Sequence, residues 1–86
     1  MATYILLVQA TWRHGCEAPW GKEDLYKDKE ADLKKEFRAK SDVEAQAKVP
    51  SLLKEFEESL GLTKGSLSWD QDFKMGTPIL CKKISL

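Results

Sequence analysis

The chain has 86 residues, of which 42% are hydrophobic and 33% charged, with fourteen basic residues balanced by fourteen acidic ones. This length predicts one small domain over residues 1–86 and excludes two, and the composition excludes a chain that is disordered throughout. Proteins that bind nucleic-acid phosphates usually carry a basic excess, so the zero net charge gives nucleic-acid binding no support.

The first predicted element is a strand over residues 3–13. Its apolar side chains recur at every second position and therefore share one face. They are Tyr4, Leu6, Val8, Ala10 and Trp12. Ile5 and Leu7 are apolar on the opposite face, which is typical of a strand buried on both sides. We therefore expect a central strand.

Two features of the sequence bear on the compartment. The apolar run at residues 4–8 is far shorter than the ~20 residues of a membrane span, and no basic segment precedes it as in a signal peptide. Two cysteines are too few for a disulfide scaffold. We expect a cytoplasmic protein with no membrane association, with Cys16 a reduced thiol in a loop and Cys81 one in a strand. A bridge between them is the alternative for an exported protein.

Residues 14–35 carry the weakest periodicity. Pro19 and Gly21 bracket Trp20, which is typical of a loop. From residue 22 onward, charges of both signs surround a few apolar residues. A short surface helix over about residues 23–33 and a long solvated hairpin loop both fit this pattern.

Residues 34–40 alternate between charged and less polar side chains, which predicts a half-buried strand. Ser41 is a favourable N-cap, and Glu44 stands three residues later, as in a capping box. Asp42 adds negative charge at the positive end of the helix dipole. Because a helix that begins here does not continue an earlier one, the preceding alternation is assigned to a strand.

The predicted helix presents one apolar stripe at helical spacing. The stripe consists of Ala45, Val49, Leu52, Leu53, Phe56 and Leu60. Gly61 suits the left-handed position that ends a helix, with Leu62 folding back on the last turn. Pro50 removes the hydrogen bond to the Gln46 carbonyl. We therefore expect one kinked helix, or two short helices that meet near residue 50.

Two strands are predicted after the helix. Apolar and polar residues alternate over residues 67–75, which places Trp69 on an apolar face and Asp70 with Asp72 on a wet face, with ordinary pKa values. Residues 76–78 predict a turn and residues 79–86 a strand that forms a hairpin with the one before it. We expect an α+β fold in two layers, with a mainly antiparallel four-stranded sheet in β-β-α-β-β order. One kinked amphipathic helix packs on one face, and the far face is largely solvated.

The sequence offers no strong catalytic, cofactor-binding or metal motif. His14 and Cys16 are two residues apart, but a nucleophile and its base usually need a third group that orients the base. With Cys81 they supply only three metal ligands, without the usual spacing. The sequence has no glycine-rich phosphate-binding motif. We therefore predict no catalytic residue, no cofactor and no metal.

The candidate interface centres on Trp20, an aromatic side chain in a loop that suits an interface anchor or a base-stacking platform. The alternative is that Trp20 caps the open end of the core. Basic residues join it if the two ends of the chain are adjacent in the sheet. They are Arg13, His14, Lys74, Lys82 and Lys83.

The function predicted from these features is that of a small, non-catalytic protein-interaction or oligomerisation domain, as a homodimer or with a protein partner. An open sheet edge would allow association by strand addition. One alternative is a nucleic-acid-associated accessory protein, for example a factor of the mobile-element or phage type. Another is a small enzyme that uses His14 and Cys16.

Overall fold

The structure is a computed structural model that describes residues 1–18, 24–63, 65 and 67–84. Its elements in chain order are β1 (Ala2–Glu17), β2 (Asp24–Ala39), α1 (Asp42–Ser59), β3 (Ser68–Met75) and β4 (Ile79–Lys82). All pairings with the central strand β1 are antiparallel, with β2 on one side and β3 and β4 on the other. The α+β fold with a four-stranded antiparallel sheet and one packed helix is thus confirmed.

β1 and β2 form one continuous two-stranded ribbon, in which Ala2 pairs with Ala39 and Glu17 with Asp24. Residues 24–33 are therefore a strand, and both the surface helix and the hairpin loop predicted there are wrong. The loop predicted around His14 and Cys16 is also a strand. Pairing along the whole of β1 outweighs the weak local preference of Lys-, Glu- and Asp-rich sequence for helix or loop.

β3 and β4 run in the same direction along β1, one after the other. β3 pairs with residues 10–16 of β1 and β4 with residues 4–7. The predicted hairpin between them is therefore wrong. The Gly76 N–H donates to the Gln9 carbonyl at 2.8 Å, which holds the connection alongside β1 instead of reversing it.

A one-residue bulge interrupts β3 opposite Trp12. Thr11 pairs with Lys74, but Arg13 pairs with Gln71, so two residues of β3 face one of β1. Asp72 lies in this bulge with φ +56°, in the left-handed region. Because successive strand residues point to opposite faces, the extra residue reverses which residues of β3 face the helix.

Helix α1 begins and ends where the sequence predicts. Ser41 is the N-cap, and its Oγ accepts from the Glu44 N–H at 3.2 Å. Gly61 has φ +63° directly after the last turn. The helix continues through Pro50 without a break, and the kink stays a prediction. Among the described residues, no helix combines the length and apolar character needed to cross a membrane.

The helix packs on the sheet face that carries the even-numbered residues of β1, called here the helix-side face. Two buried clusters lie between them, one with Tyr4 and Ala45 and one with Val8 and Phe56. The Tyr4 hydroxyl also donates to Asp42 at 2.5 Å, which raises the pKa of Tyr4 and ties the start of α1 to β1. The opposite face, called here the open face, carries the odd-numbered residues of β1, and no helix of the described residues lies on it.

The molecule is a long ribbon. A 16-residue strand spans about 53 Å, and the chain measures 58 × 21 × 15 Å with a radius of gyration of 17.2 Å. A compact domain of this length has a radius of gyration of about 12 Å. Helix α1 has 18 residues and spans only about 27 Å. It is therefore too short to cover the ribbon, and a large part of the sheet described here remains exposed.

Candidate interaction surface

The open face carries an apolar patch formed by β1 and β4. Leu7 lies opposite Ile79, and Ile5 lies opposite Cys81. Leu7 is 36% exposed and Ile79 56% exposed. The sequence places Ile5 and Leu7 on this face and predicts that it is buried. No helix of the described residues covers it, so Leu7 is exposed and Ile5 is only half-buried.

An aromatic cluster occupies the other end of the open face. Trp69 lies across from Gly15 and meets Tyr26 of β2 edge to face, with ring centroids 6.2 Å apart. The Arg13 guanidinium lies 5.9 Å from the centre of the Tyr26 ring. A Cβ atom on Gly15 would be 2.6 Å from Trp69 Nε1, so the indole packs on bare backbone. The sequence predicts Trp69 on the same face as Phe73. The bulge at Asp72 instead places the two side chains on opposite faces.

Charges along the outer strand β2 are segregated on the open face. Even-numbered residues of β2 lie there, opposite odd-numbered residues of β1. Acidic residues occupy the first half of this row, namely Asp24, Asp28, Glu30 and Asp32, and basic residues Lys34 and Arg38 lie in the second half with Glu36. We call this set the charge row. The charged residues of this row alternate with Ala31, Leu33 and Phe37. This alternation can be recognised in the sequence only if residues 24–33 are assigned to a strand.

Asp70 lies on the helix-side face, where its side chain is only 9% exposed. It accepts from the Thr63 N–H at 2.7 Å and lies 2.8 Å from His14 Nδ1. The Thr63 hydrogen bond, and then His14, hold the pKa of this carboxyl below its ordinary value. The prediction of an exposed Asp70 with an ordinary pKa is therefore wrong. Asp72, predicted beside it, is exposed in the bulge.

The contact with Asp70 gives His14 the orienting carboxylate that the sequence did not reveal. If His14 donates its Nδ1 proton to Asp70, Nε2 is left with a free lone pair. Cys16 lies two residues further along the same face and is half-buried. The same carboxylate, however, bonds both the backbone and the side chain of Thr63, which fastens the segment after α1 to the sheet. These contacts form a structural tie between the segment after α1 and the sheet.

The basic residues of the predicted interface lie at two ends of the ribbon. Lys82 pairs with Tyr4, and the Lys83 N–H donates to the Thr3 carbonyl. Arg13 and His14 lie about ten residues further along β1, roughly 30 Å away. Arg13 and His14 are thus far from Lys82 and Lys83, whereas the predicted interface has all four residues close together.

Each of these basic residues has its own surroundings. Arg13 lies 3.3 Å from Asp28, and Lys83 lies 2.8 Å from Glu36, which lowers the pKa of Glu36. Lys82 is exposed. Trp20 lies outside the described residues.

The cysteines and the other possible ligands form no centre within the part of the chain that the structure describes. Cys16 and Cys81 are free thiols near opposite ends of β1. No group of three metal-binding side chains comes together among the described residues. A scan against protein-family models and searches of curated proteins and solved structures find no match to this chain.

Proposed function

We propose that this chain is a non-catalytic interaction domain that works by self-association. The observation that carries the proposal is its surface area. The chain exposes 6479 Å², whereas a compact protein of its mass exposes about 5,200 Å². The difference is similar to the area buried when a small dimer forms.

The distribution of the exposed surface supports this function. The open face combines an apolar patch, an aromatic cluster of exposed Tyr26 and half-buried Trp69, and a charge row, which are features of a protein interface. A net charge of zero leaves little overall repulsion between two copies. The widely separated free thiols fit a reducing compartment, and a cytoplasmic location is part of the proposal.

The two alternatives have less support. A nucleic-acid-associated role needs a basic surface, whereas the charge row is acidic over half its length. A small enzyme at His14 and Cys16 has an orienting carboxylate in Asp70, but that carboxylate has a structural use at Thr63.

Multi-angle light scattering tests self-association over a range of concentrations. We expect the mass to rise from that of the 9.8 kDa chain towards twice that value. The Cys16→Ser/Cys81→Ser variant is the control, because a disulfide through exposed Cys81 would imitate a dimer. A mass that stays at the single-chain value up to millimolar concentration contradicts the proposal. Added DNA or RNA at low salt should leave the mass unchanged, and a salt-dependent increase would favour the nucleic-acid alternative instead.

A further inference from the structure

The two edges of the sheet differ in their fitness for pairing with another strand. The β3–β4 edge is interrupted by the bulge at Asp72 and by Pro78, which has no N–H to donate. Such irregularities protect an edge from pairing. β2 is instead regular over 16 residues and contains neither glycine nor proline. It is the edge that can accept a further strand.

The hydrogen-bond pattern shows which residues of β2 face outward. Backbone groups of Thr3, Gln9 and Glu17 bond towards β3 and β4. In an antiparallel ladder the bonding direction alternates along a strand, so the even-numbered residues of β1 bond to β2. Their partners are the odd-numbered residues of β2, such as Leu33. The free backbone groups at the edge therefore belong to even-numbered residues, the same residues that form the charge row.

The charge row is largely self-complementary when two antiparallel copies of β2 are centred on Leu33. When Leu33 lies opposite Leu33 of the second copy, Asp32 faces Lys34 and Asp28 faces Arg38. Each of these attractive pairs occurs twice because the contact is two-fold symmetric. The one like-charge pair is Glu30 with Glu36, and Glu36 is already neutralised in part by Lys83 at 2.8 Å.

Two neighbouring symmetric registers are electrostatically worse. A centre at Asp32 places that carboxylate against its own copy and Lys29 against Lys35. A centre at Ala31 places Glu30 against Asp32 and Lys27 against Lys35. Like charges directly opposite each other destabilise a pair of strands, so the charge row disfavours both of these centres. A centre at Lys35 pairs Lys34 with Glu36 and Asp32 with Arg38, but it places the Lys35 ammonium against its own copy on the helix-side face, where the centre at Leu33 places two leucines together.

An apolar groove lies at the same position on the helix-side face. It runs between β2 and α1, and the residues that line it include Leu33, Leu52 and Phe56. Leu33 and Leu52 are only half-buried in the single chain. A second copy centred on Leu33 would bring the two grooves together and remove both leucines from water.

From these features we infer that β2 is the self-association site and that its partner is β2 of a second copy, antiparallel and centred on Leu33. The two sheets then continue as one across the two-fold axis. This inference rests on the proposed function, since it names the edge and the register through which the chain associates.

Cysteine crosslinking tests the register directly. In a Cys16→Ser/Cys81→Ser background, Leu33→Cys should form a disulfide-linked dimer under mild oxidation. Leu33 and its copy would be a non-hydrogen-bonded pair about 4.5 Å apart between Cα atoms, which is within disulfide range. Ala31→Cys is the matched control on the same strand face, because its copy would lie about 13 Å further along the strand. A mixture of Ala31→Cys and Lys35→Cys should crosslink, since those positions face each other.

A charge exchange tests the same contact without covalent chemistry. Asp32→Lys would face Lys34 of the second copy at two places and should weaken the dimer roughly tenfold. The double variant Asp32→Lys/Lys34→Asp restores opposite charges and should recover the original Kd. Thermal unfolding of each variant checks that the fold is intact.

The outcomes separate this inference from the proposed function. A dimer by light scattering, together with no Leu33→Cys crosslink and an unchanged Kd in Asp32→Lys, overturns the β2 contact and leaves self-association standing. Crosslinking by Ala31→Cys alone overturns the register. A chain that is a monomer at every concentration overturns both.

Discussion

Asp70 joins three parts of the chain through one carboxylate. Its oxygens accept from Thr63, in the segment after α1, and lie against His14 of β1, while Asp70 itself belongs to β3. The side chain is nearly buried, and the hydrogen bonds favour its ionised form. Its pKa is therefore lower in the folded chain than in the unfolded chain, which makes folding stability depend on pH.

The direction of this pH dependence can be tested by urea unfolding between pH 5 and pH 2. Because the folded pKa of Asp70 is lowered, its stabilising contribution is present above the unfolded pKa of about 3.9 and is lost as pH falls through the folded pKa. Asp70→Asn should therefore lose less stability on acidification than the parent chain.

His14→Ala is the matched variant for this measurement. It keeps the Thr63 hydrogen bond, the largest cause of the pKa shift, and should retain most of the pH dependence. Parallel pH profiles for Asp70→Asn and the parent chain would contradict this account of the tie.

At the scale of elements, the third strand position of the sheet is filled by two short strands in line. The bulge at Asp72 turns Phe73 and Met75 towards the helix, whereas Trp69 remains on the open face. The connection at residues 76–78 has three residues alongside only two residues of β1. This extra residue places Leu80 on the helix-side core. Two one-residue insertions thus decide which side chains of this segment reach each face.

The left-handed backbone of Asp72 makes a prediction about substitutions in the bulge. Asp72→Val should lower the free energy of unfolding by about 1–2 kcal/mol, because a β-branched side chain is strained at positive φ. Asp72→Asn should be nearly neutral, since Asn tolerates this conformation. Urea titration of both variants measures the difference. Equal stability of the Val and Asn variants would show that this conformation imposes no strain.

The sequence predicted the elements that depend on local chemistry. The Ser41 cap, Gly61 at the helix end, the apolar stripe of α1 and the face of Tyr4 in β1 all follow from spacing and residue type. The fold class followed from the order of these elements.

The remaining features depend on contacts between distant residues. Residues 24–33 form a strand because β1 offers a partner along its entire length. The bulge at Asp72 has no unambiguous residue signature, so simple alternation placed Trp69 and Asp70 on the wrong faces. The contact between Asp70 and His14 could not be predicted from the sequence for the same reason, because it depends on the register of β3 against β1.

At the scale of the whole molecule, one helix of 18 residues covers a sheet whose two longest strands have 16 residues each. A helix rises about 1.5 Å per residue and a strand about 3.3 Å. The helix therefore spans roughly half the ribbon. This mismatch leaves about half of the helix-side face beyond the reach of α1. Together with the open face and the β2 edge, that half is surface through which the chain can bury more area.

Small-angle X-ray scattering of the dimer tests how two such ribbons are arranged. Pairing of β2 about Leu33, which lies opposite Val8 near the middle of β1, places the ribbons side by side. The radius of gyration should then rise only from 17.2 Å to about 20 Å, because each centre of mass lies about 10 Å from the two-fold axis. An end-to-end dimer would instead approach about 34 Å, since its centres would be a full ribbon length apart. A value near the larger figure contradicts pairing through β2, and the Leu33→Cys crosslink distinguishes edge pairing from stacking of the open faces.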